Sequence, residues 1–200
     1  MTNLDNYTIR EASKEAFKEV IDQYGSDVFA DTHVYHPRIL LSDAEKEQKE
    51  QLEQNLSQLY ELYLLAYDAN GDPVGWTWGR QETRDKFYMI NSAILEPHRG
   101  RGLYKALLNQ LLEMVTARGF QLIYSRHNMT NNAIIIPKLK AGFIIAKMEL
   151  DDQHGTLIHL HYYPNPTRRK VMDYRCGQQA PNEEIEELFK ADSKKIVKQR

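Results

Sequence analysis

The chain has 200 residues, of which 26 are Lys or Arg and 28 are Asp or Glu, for a net charge of −2. That balance excludes the broad positive field by which proteins hold nucleic acid or acidic membrane surfaces, so any anion site has to be local. Hydrophobic residues make up 42%, enough for one well-buried core at this length. The lone Cys176 allows no internal disulfide and no zinc-type Cys pair, which suits a reducing cytoplasm. No run of about 18 apolar residues could span a membrane, and Met1 to Tyr7 lacks the basic and apolar parts of an export signal.

Tyr7 to Arg10 reads as a short strand, and Ser13 to Tyr24 places Phe17, Val20, Ile21 and Tyr24 at helical spacing. Gly25 to Leu41 has no sustained period but is rich in aromatic residues and His, so His33, Tyr35 and His36 are expected near a substrate. Ser42-Asp-Ala-Glu45 reads as a capping box for a second helix striped by Leu52, Leu56 and Leu59. Leu62 to Tyr67 and Val74 to Arg80 flank an Asn-Gly turn and form a hairpin. Trp76 and Trp78 share one face of its second strand, where packing is the simplest role. A polar turn, Gln81 to Lys86, leads into a third strand, Phe87 to Leu95, in which Asn91 and Ser92 are candidates for a bulge.

Leu103, Leu107, Leu108, Leu111, Leu112 and Val115 hold a helical period that Gly119 stops. Phe120 to Arg126 follows as a strand parallel to its predecessor, reached by a crossover. Asn131 to Ala141 is helical in pattern despite Pro137, and Phe143 to Leu150 with Thr156 to Tyr163 make a closing hairpin. This order predicts an α/β fold of the mixed α+β kind over residues 1–163, a mixed sheet covered on both faces. Residues 164–200 read as an extension in which Asn182 caps an amphipathic helix bearing Ile185, Leu188, Phe189 and Ile196. That helix packs on the domain, closes over it or makes a homodimer contact.

The stretch with the clearest chemistry is Ala93 to Leu108, where a strand breaks at Pro97 and re-forms as a helix across a turn holding Gly100 and Gly102. A helix N-terminus offers unpaired N–H groups and a partial positive charge, and glycines let a phosphate approach the backbone. The third glycine of a dinucleotide fingerprint and the Lys-Ser/Thr ending of a P-loop are both absent.

Arg99-Gly-Arg-Gly-Leu-Tyr104 instead resembles the Q/R-x-x-G-x-G/A loop of the GNAT superfamily of N-acetyltransferases, with Arg99 and Gly102 matching and Tyr104 standing at the last small position. The order of elements from Tyr7 to Tyr163 is similar to that family's, including a helix that ends in Gly142-Phe143. Asn131, eleven residues before that pair, stands where the family often has a cofactor-contacting Asn. The resemblance implies an acyl-CoA N-acyltransferase fold with a splayed central sheet, acetyl-CoA as co-substrate and a small-molecule or peptide amine as acceptor. It implies that backbone N–H groups from Gly100 through Arg101, Gly102, Leu103 and Tyr104 to Lys105 bind the pyrophosphate. Arg99, Arg101 or Lys105 would meet outer phosphates, and Ala93, Ile94 and Leu95 would pair with the pantetheine arm, a backbone N–H near Ile94 or Leu95 polarising the thioester.

Many members of the family carry an acid Tyr four residues before the Gly-Phe pair, and Lys138 stands there instead. His127, at the end of the strand on the cleft side, is the leading replacement, because its ordinary pKa near 6.5 suits proton transfer at neutral pH. A polar strand-end histidine without chemistry is the alternative. Glu82 or Asp85 could hold a base or attract a cationic amine, and Tyr88 or Tyr124 could serve as acid if it faces inward. His159 and His161 share a strand face but have no evident third ligand, so no metal is expected. The runner-up function is a coenzyme A-binding sensor or partner module without catalysis; the basic run Arg168-Arg169-Lys170 does not make a nucleic-acid site.

Overall fold

The computed structural model describes residues 4–29, 42–44, 46–47, 58–180, 182–187 and 189. His33, Tyr35, His36, Glu45, Leu52, Leu56, Leu188 and Ile196 lie outside the described residues. The chain forms two compact units, residues 1–162 and 163–200.

In the first unit, strands β1 (Thr8–Glu11), β2 (Glu61–Tyr67), β3 (Pro73–Gln81), β4 (Lys86–Ile94), β5 (Leu122–Asn128), β6 (Ile144–Asp151) and β7 (Gly155–Tyr162) form one sheet in the order β1-β2-β3-β4-β5-β7-β6. Every neighbouring pair is antiparallel except β4 and β5. That parallel pair brackets helix α2 (Leu103–Ala117), as a crossover requires. Helix α1 (Lys14–Val28) precedes β2, and helix α3 (Asn132–Lys140) joins β5 to β6.

The near-continuous apolar run of β2 reflects burial on both faces. Leu62 and Leu64 join the core beneath α2 with Phe87, Ile123, Leu160 and the α2 stripe. Tyr63 and Leu65 face the other way, against Phe17 and Val20 of α1 and Trp76 of β3. Burial of each large apolar side chain contributes about 1.5–3 kcal/mol, so the α2 stripe alone anchors that helix firmly. Trp78 packs as expected of it, its ring stacked on Tyr63 with centroids 5.4 Å apart. Helix α1 runs past Gly25 to Val28, longer than its period indicates, because Val28 and Phe29 extend its contacts with the Trp76 cluster.

The second unit contains a helix that composition did not reveal, α4 (Pro166–Arg175), started by Asn165, whose side chain accepts from Arg168 N–H at 3.0 Å. Its basic run is already paired: Arg169 bonds Asp173 at 2.9 Å and Lys170 bonds Glu184 at 2.6 Å. Asn182 does cap a following helical turn, accepting from Ile185 N–H at 3.0 Å.

Candidate active site

The sheet is closed except at its middle. Strands β4 and β5 pair only from Lys86↔Leu122 to Met89↔Ser125, although both run on, β4 alongside β3 as far as Ile94 and β5 alongside β7 as far as Asn128. The parting begins at a bulge: Trp78 lies opposite Asn91 and Gly79 opposite Met89, which leaves Ile90 as the extra residue. A bulge bends its strand and raises the local twist, which turns β4 away from β5. The bulge sits one residue before the Asn91-Ser92 pair. Those two side chains instead tie β4 to β3, Asn91 accepting from Trp76 Nε1 at 3.1 Å and Ser92 bonding Thr77 at 2.7 Å.

The open edge of β4 carries the donors. Leu95 N–H is committed to Val74 O at 2.9 Å, so of the two donors that the resemblance implies, Ile94 or Leu95, it is Leu95 that is already engaged. Strand alternation then points the N–H groups of Ile94 and Ser92 into the gap, while Ala93 faces β3. Arg99 also departs from a purely phosphate-facing role, because its Nε donates to Ile94 O at 2.9 Å and pins the end of the strand.

Beyond it, Glu96 to His98 form one 3-10 turn, steadied by a 3.1 Å hydrogen bond between Tyr7 Oη and His98 Nδ1. Gly100 (φ 72°) and Gly102 (φ 82°) take left-handed conformations that only glycine adopts without strain. Gly102 is the N-cap of α2 and brings no capping side chain, which leaves the N–H groups of Leu103, Tyr104 and Lys105 unsatisfied at the positive end of the helix. The side chain of Leu103 is buried, that of Tyr104 packs against the core under α2, and those of Arg101 and Lys105 are exposed. Only backbone and cations therefore face an incoming anion, and this donor set suits a pyrophosphate.

On the α3 side of the gap, a cavity of about 120 Å³ is lined by Ile90, Asn91, Ser92, His127, Asn131 and Lys138, among others. Lys138 is 1% exposed. Its Nζ donates to Ser125 Oγ at 2.6 Å and more weakly to Met89 Sδ at 3.5 Å, and it lies 5.1 Å from the Phe143 ring. Burial without a carboxylate pulls its pKa down to about 7. Ser125 Oγ in turn meets His127 Nε2 at 2.9 Å. Desolvation, with the nearby Lys138 charge, pulls His127 down to about 3, so its ring is neutral throughout the physiological range.

The other face of β5 holds a different cluster around a cavity of about 390 Å³. Tyr88 and Tyr124 stack at 4.9 Å, and Tyr124 stacks on His159 at 5.8 Å. Tyr124 Oη donates to Glu82; Arg126 reaches Tyr88 Oη at 3.1 Å and Glu149 at 3.0 Å; His159 Nε2 bonds the other Glu149 oxygen. Glu82 and His127 thus lie on opposite faces of the sheet, and Tyr88 and Tyr124 point away from the α3 cavity.

The structure brings together His127, Asn131 and the open edge of β4, but not Glu82. Sequence reasoning missed Ser125 and treated Lys138 only as the loss of a tyrosine. The signal for Lys138 was a lysine three residues after Ile135, on the buried stripe of a short apolar helix.

A mixed sheet parted at its middle leaves an open strand edge that runs into a glycine-lined helix N-terminus. The sequence matches the model of the Acetyltransferase (GNAT) family over residues 15–161, and the chain belongs to that family of acetyl-CoA-dependent N-acetyltransferases. No curated protein matches it, and its likeness to solved structures is one of fold. A putative acetyltransferase from Salmonella typhimurium, solved with its cofactor acetyl-CoA, is 18% identical with a TM-score of 0.59, covering 80% of this chain and 95% of its own. The ribosomal-protein-S18-alanine N-acetyltransferase of Escherichia coli is 17% identical with a TM-score of 0.56, covering 78% and 93%. A spermidine N-acetyltransferase of Vibrio cholerae is 12% identical with a TM-score of 0.57, covering 80% and 94%. Among the described residues, no helix is long and apolar enough to cross a membrane.

Proposed function

We propose that this protein passes the acetyl group of acetyl-CoA directly to the amine of a small molecule or peptide, both substrates being bound at once. The observation that carries this reading is the open edge of β4 running into the uncapped start of α2. The N–H groups of Leu103 to Lys105 hold the pyrophosphate, Ile94 and Ser92 pair with the extended arm, and a strand N–H polarises the thioester carbonyl where negative charge develops. Direct transfer needs no protein nucleophile.

The 390 Å³ cavity begins at Tyr88 and Arg126, beside the point where the strands part, and is the natural entry for the acceptor. Its carboxylates are engaged, Glu82 by Tyr124 and Glu149 by Arg126 and His159, while Arg80, Lys86 and Lys147 line it as well. That balance favours an amine that also carries a carboxylate or phosphate over a polyamine.

Calorimetry with coenzyme A tests the cofactor assignment. Gly102→Glu, which puts a carboxylate and a strained φ at the cradle, should abolish binding; unaltered affinity would overturn the assignment. Thiol release from acetyl-CoA across amino acids, peptides and polyamines tests the rest. Release with no amine despite tight coenzyme A binding would favour a silent binding module.

A further inference from the structure

We propose that Lys138 is the catalytic acid of this transferase, its Nζ giving a proton to the sulfur of the departing coenzyme A from within the α3 cavity, with Ser125 and His127 as positioning residues. The inference rests on the acetyltransferase reading above.

The number of protons on Nζ sets what it can still donate. A lysine ammonium has three, and here one goes to Ser125 Oγ at 2.6 Å and another, weakly, to Met89 Sδ at 3.5 Å. The third is left for the cavity, whose wall Lys138 shares with Ile90, Asn91 and Ser92 of the open strand. Among the described residues, no carboxylate contacts Nζ. Lysine is almost never fully buried unless it is paired, so a structural role gives no reason to keep a cation in an apolar helix stripe between Met89 and Phe143.

The cavity supplies the reason. When the acceptor nitrogen attacks the thioester carbon, the C–N bond forms and the C–S bond breaks, and its electron pair stays on sulfur. That thiolate, formed at the end of an arm lying along β4, receives the Nζ proton. The acceptor nitrogen sheds its own proton to solvent and Nζ regains one from solvent, so the cycle closes without another reactant. Burial sets Lys138 near 7, and an adjacent cation lowers the roughly 8.5 of an ordinary thiol by about 1–3 units, so nitrogen and sulfur are matched and the proton passes between them at little cost while the acid is half charged at neutral pH.

Ser125 receives the Nζ hydrogen bond and fixes where the lysine points. His127, neutral and bonded to Ser125 Oγ, accepts the serine proton through Nε2 and orients that hydroxyl. The strand-end histidine thereby acts at one remove from the chemistry.

The test uses the full chain and Lys138→Met, which matches the apolar surroundings and should fold, as a melting curve will show. Ultraviolet absorbance of the bound thiolate, followed against pH, reports whether Nζ meets sulfur and needs no acceptor. An opposite charge at that range lowers an acid's pKa by about 1–3 units, and Lys138 is half charged near neutrality, so wild-type protein should hold several-fold more thiolate there than Lys138→Met. In turnover, Lys138→Met should lower kcat by about 10²–10⁴-fold with KM for acetyl-CoA little changed. The deficit should shrink with acetyl thioesters of more acidic thiols, which leave without help. Lys138→Arg, charged but unable to release a proton at neutral pH, should restore the thiolate and not kcat. An unchanged thiolate titration in Lys138→Met, or an equal loss of rate with every thioester, would overturn the assignment and leave the acetyltransferase reading standing. Failure of the wild-type protein to bind coenzyme A would overturn both.

Discussion

Strand β5 presents two chemistries from alternate residues. Ser125 and His127 face α3, where Lys138 is a cation with no anion among the described residues; Tyr124 and Arg126 face the opposite side, where Tyr124 bonds Glu82 and Arg126 bonds Tyr88 and Glu149. On the first side, desolvation dominates and pulls both Lys138 and His127 toward their neutral forms. On the second, partners offset burial: Arg126 is held above its ordinary value by Tyr88 and Glu149, and Glu149 is held below its own by the hydrogen bond from His159 and by Arg126. A dry pocket leaves a proton easy to give up, and a wet, paired one holds its charges in place. The first suits chemistry, the second recognition.

The sharpest way to separate them is stability. Lys138 is lowered from 10.5 to about 7 in the folded protein, so between those values the unfolded chain binds more protons and stability rises with pH. The cost of burying the cation is fully present below about 7 and gone above about 10.5. Lys138→Met should therefore stabilise the protein at pH 7, by an amount on the order of a few kcal/mol given 1.36 kcal/mol per pKa unit. Melting temperatures of the two proteins should converge as pH approaches 10.5. A constant gap would mean that Lys138 holds its proton in the folded state as firmly as in the unfolded chain, and the contrast between the faces would collapse.

The next effect acts on both faces at once. A Cβ on Gly79 would collide with the Tyr88 carbonyl and come within 2.9 Å of Phe87 Cζ. Gly79→Val should wedge β3 from β4 at the bulge and destabilise the fold by about 1–3 kcal/mol, measured by urea denaturation. Because the bulge starts the parting of the strands, coenzyme A affinity should fall as well. Loss of stability with intact binding would separate the bulge from the site.

Much of this was legible in the sequence. The apolar stripe from Leu103 to Val115 and the Asn-Gly hairpin fixed their elements through local periodicity and turn chemistry, and Gly100 and Gly102 marked the cradle because left-handed backbone is written in residue type. What could not be read was partnership across the sheet. That Glu82 meets Tyr124 rather than His127, and that Ser125 joins Lys138 to His127, depends on which face each residue takes and on the register of β4 with β5. A one-residue bulge at Ile90 resets such assignments, and the Asn91-Ser92 pair marked its neighbourhood but not its position. Helix α4 escaped for another reason: its polar surface carries no buried residue and hence no stripe to count.

The smallest expected effect probes the paired face. Glu149 is 30% exposed and bonds Arg126 and His159, so water screens much of its interaction, and Glu149→Gln should cost less than about 1 kcal/mol at pH 7. The sign of its pH dependence is the same as that of Lys138, stability rising with pH in both, but here the shift reflects a favourable pairing and not a burial cost. Its folded pKa lies below the ordinary 4.5, so the unfolded chain takes up the proton first on acidification. The stabilisation is therefore whole above the unfolded value and disappears as pH falls through the folded one. Wild-type and Glu149→Gln melting curves should differ slightly at pH 7 and coincide in strong acid, with coenzyme A affinity unchanged throughout. Were the substitution to weaken coenzyme A instead, the cavity beside Tyr88 would belong to the cofactor and not to the acceptor, and the division of labour across β5 would have to be redrawn.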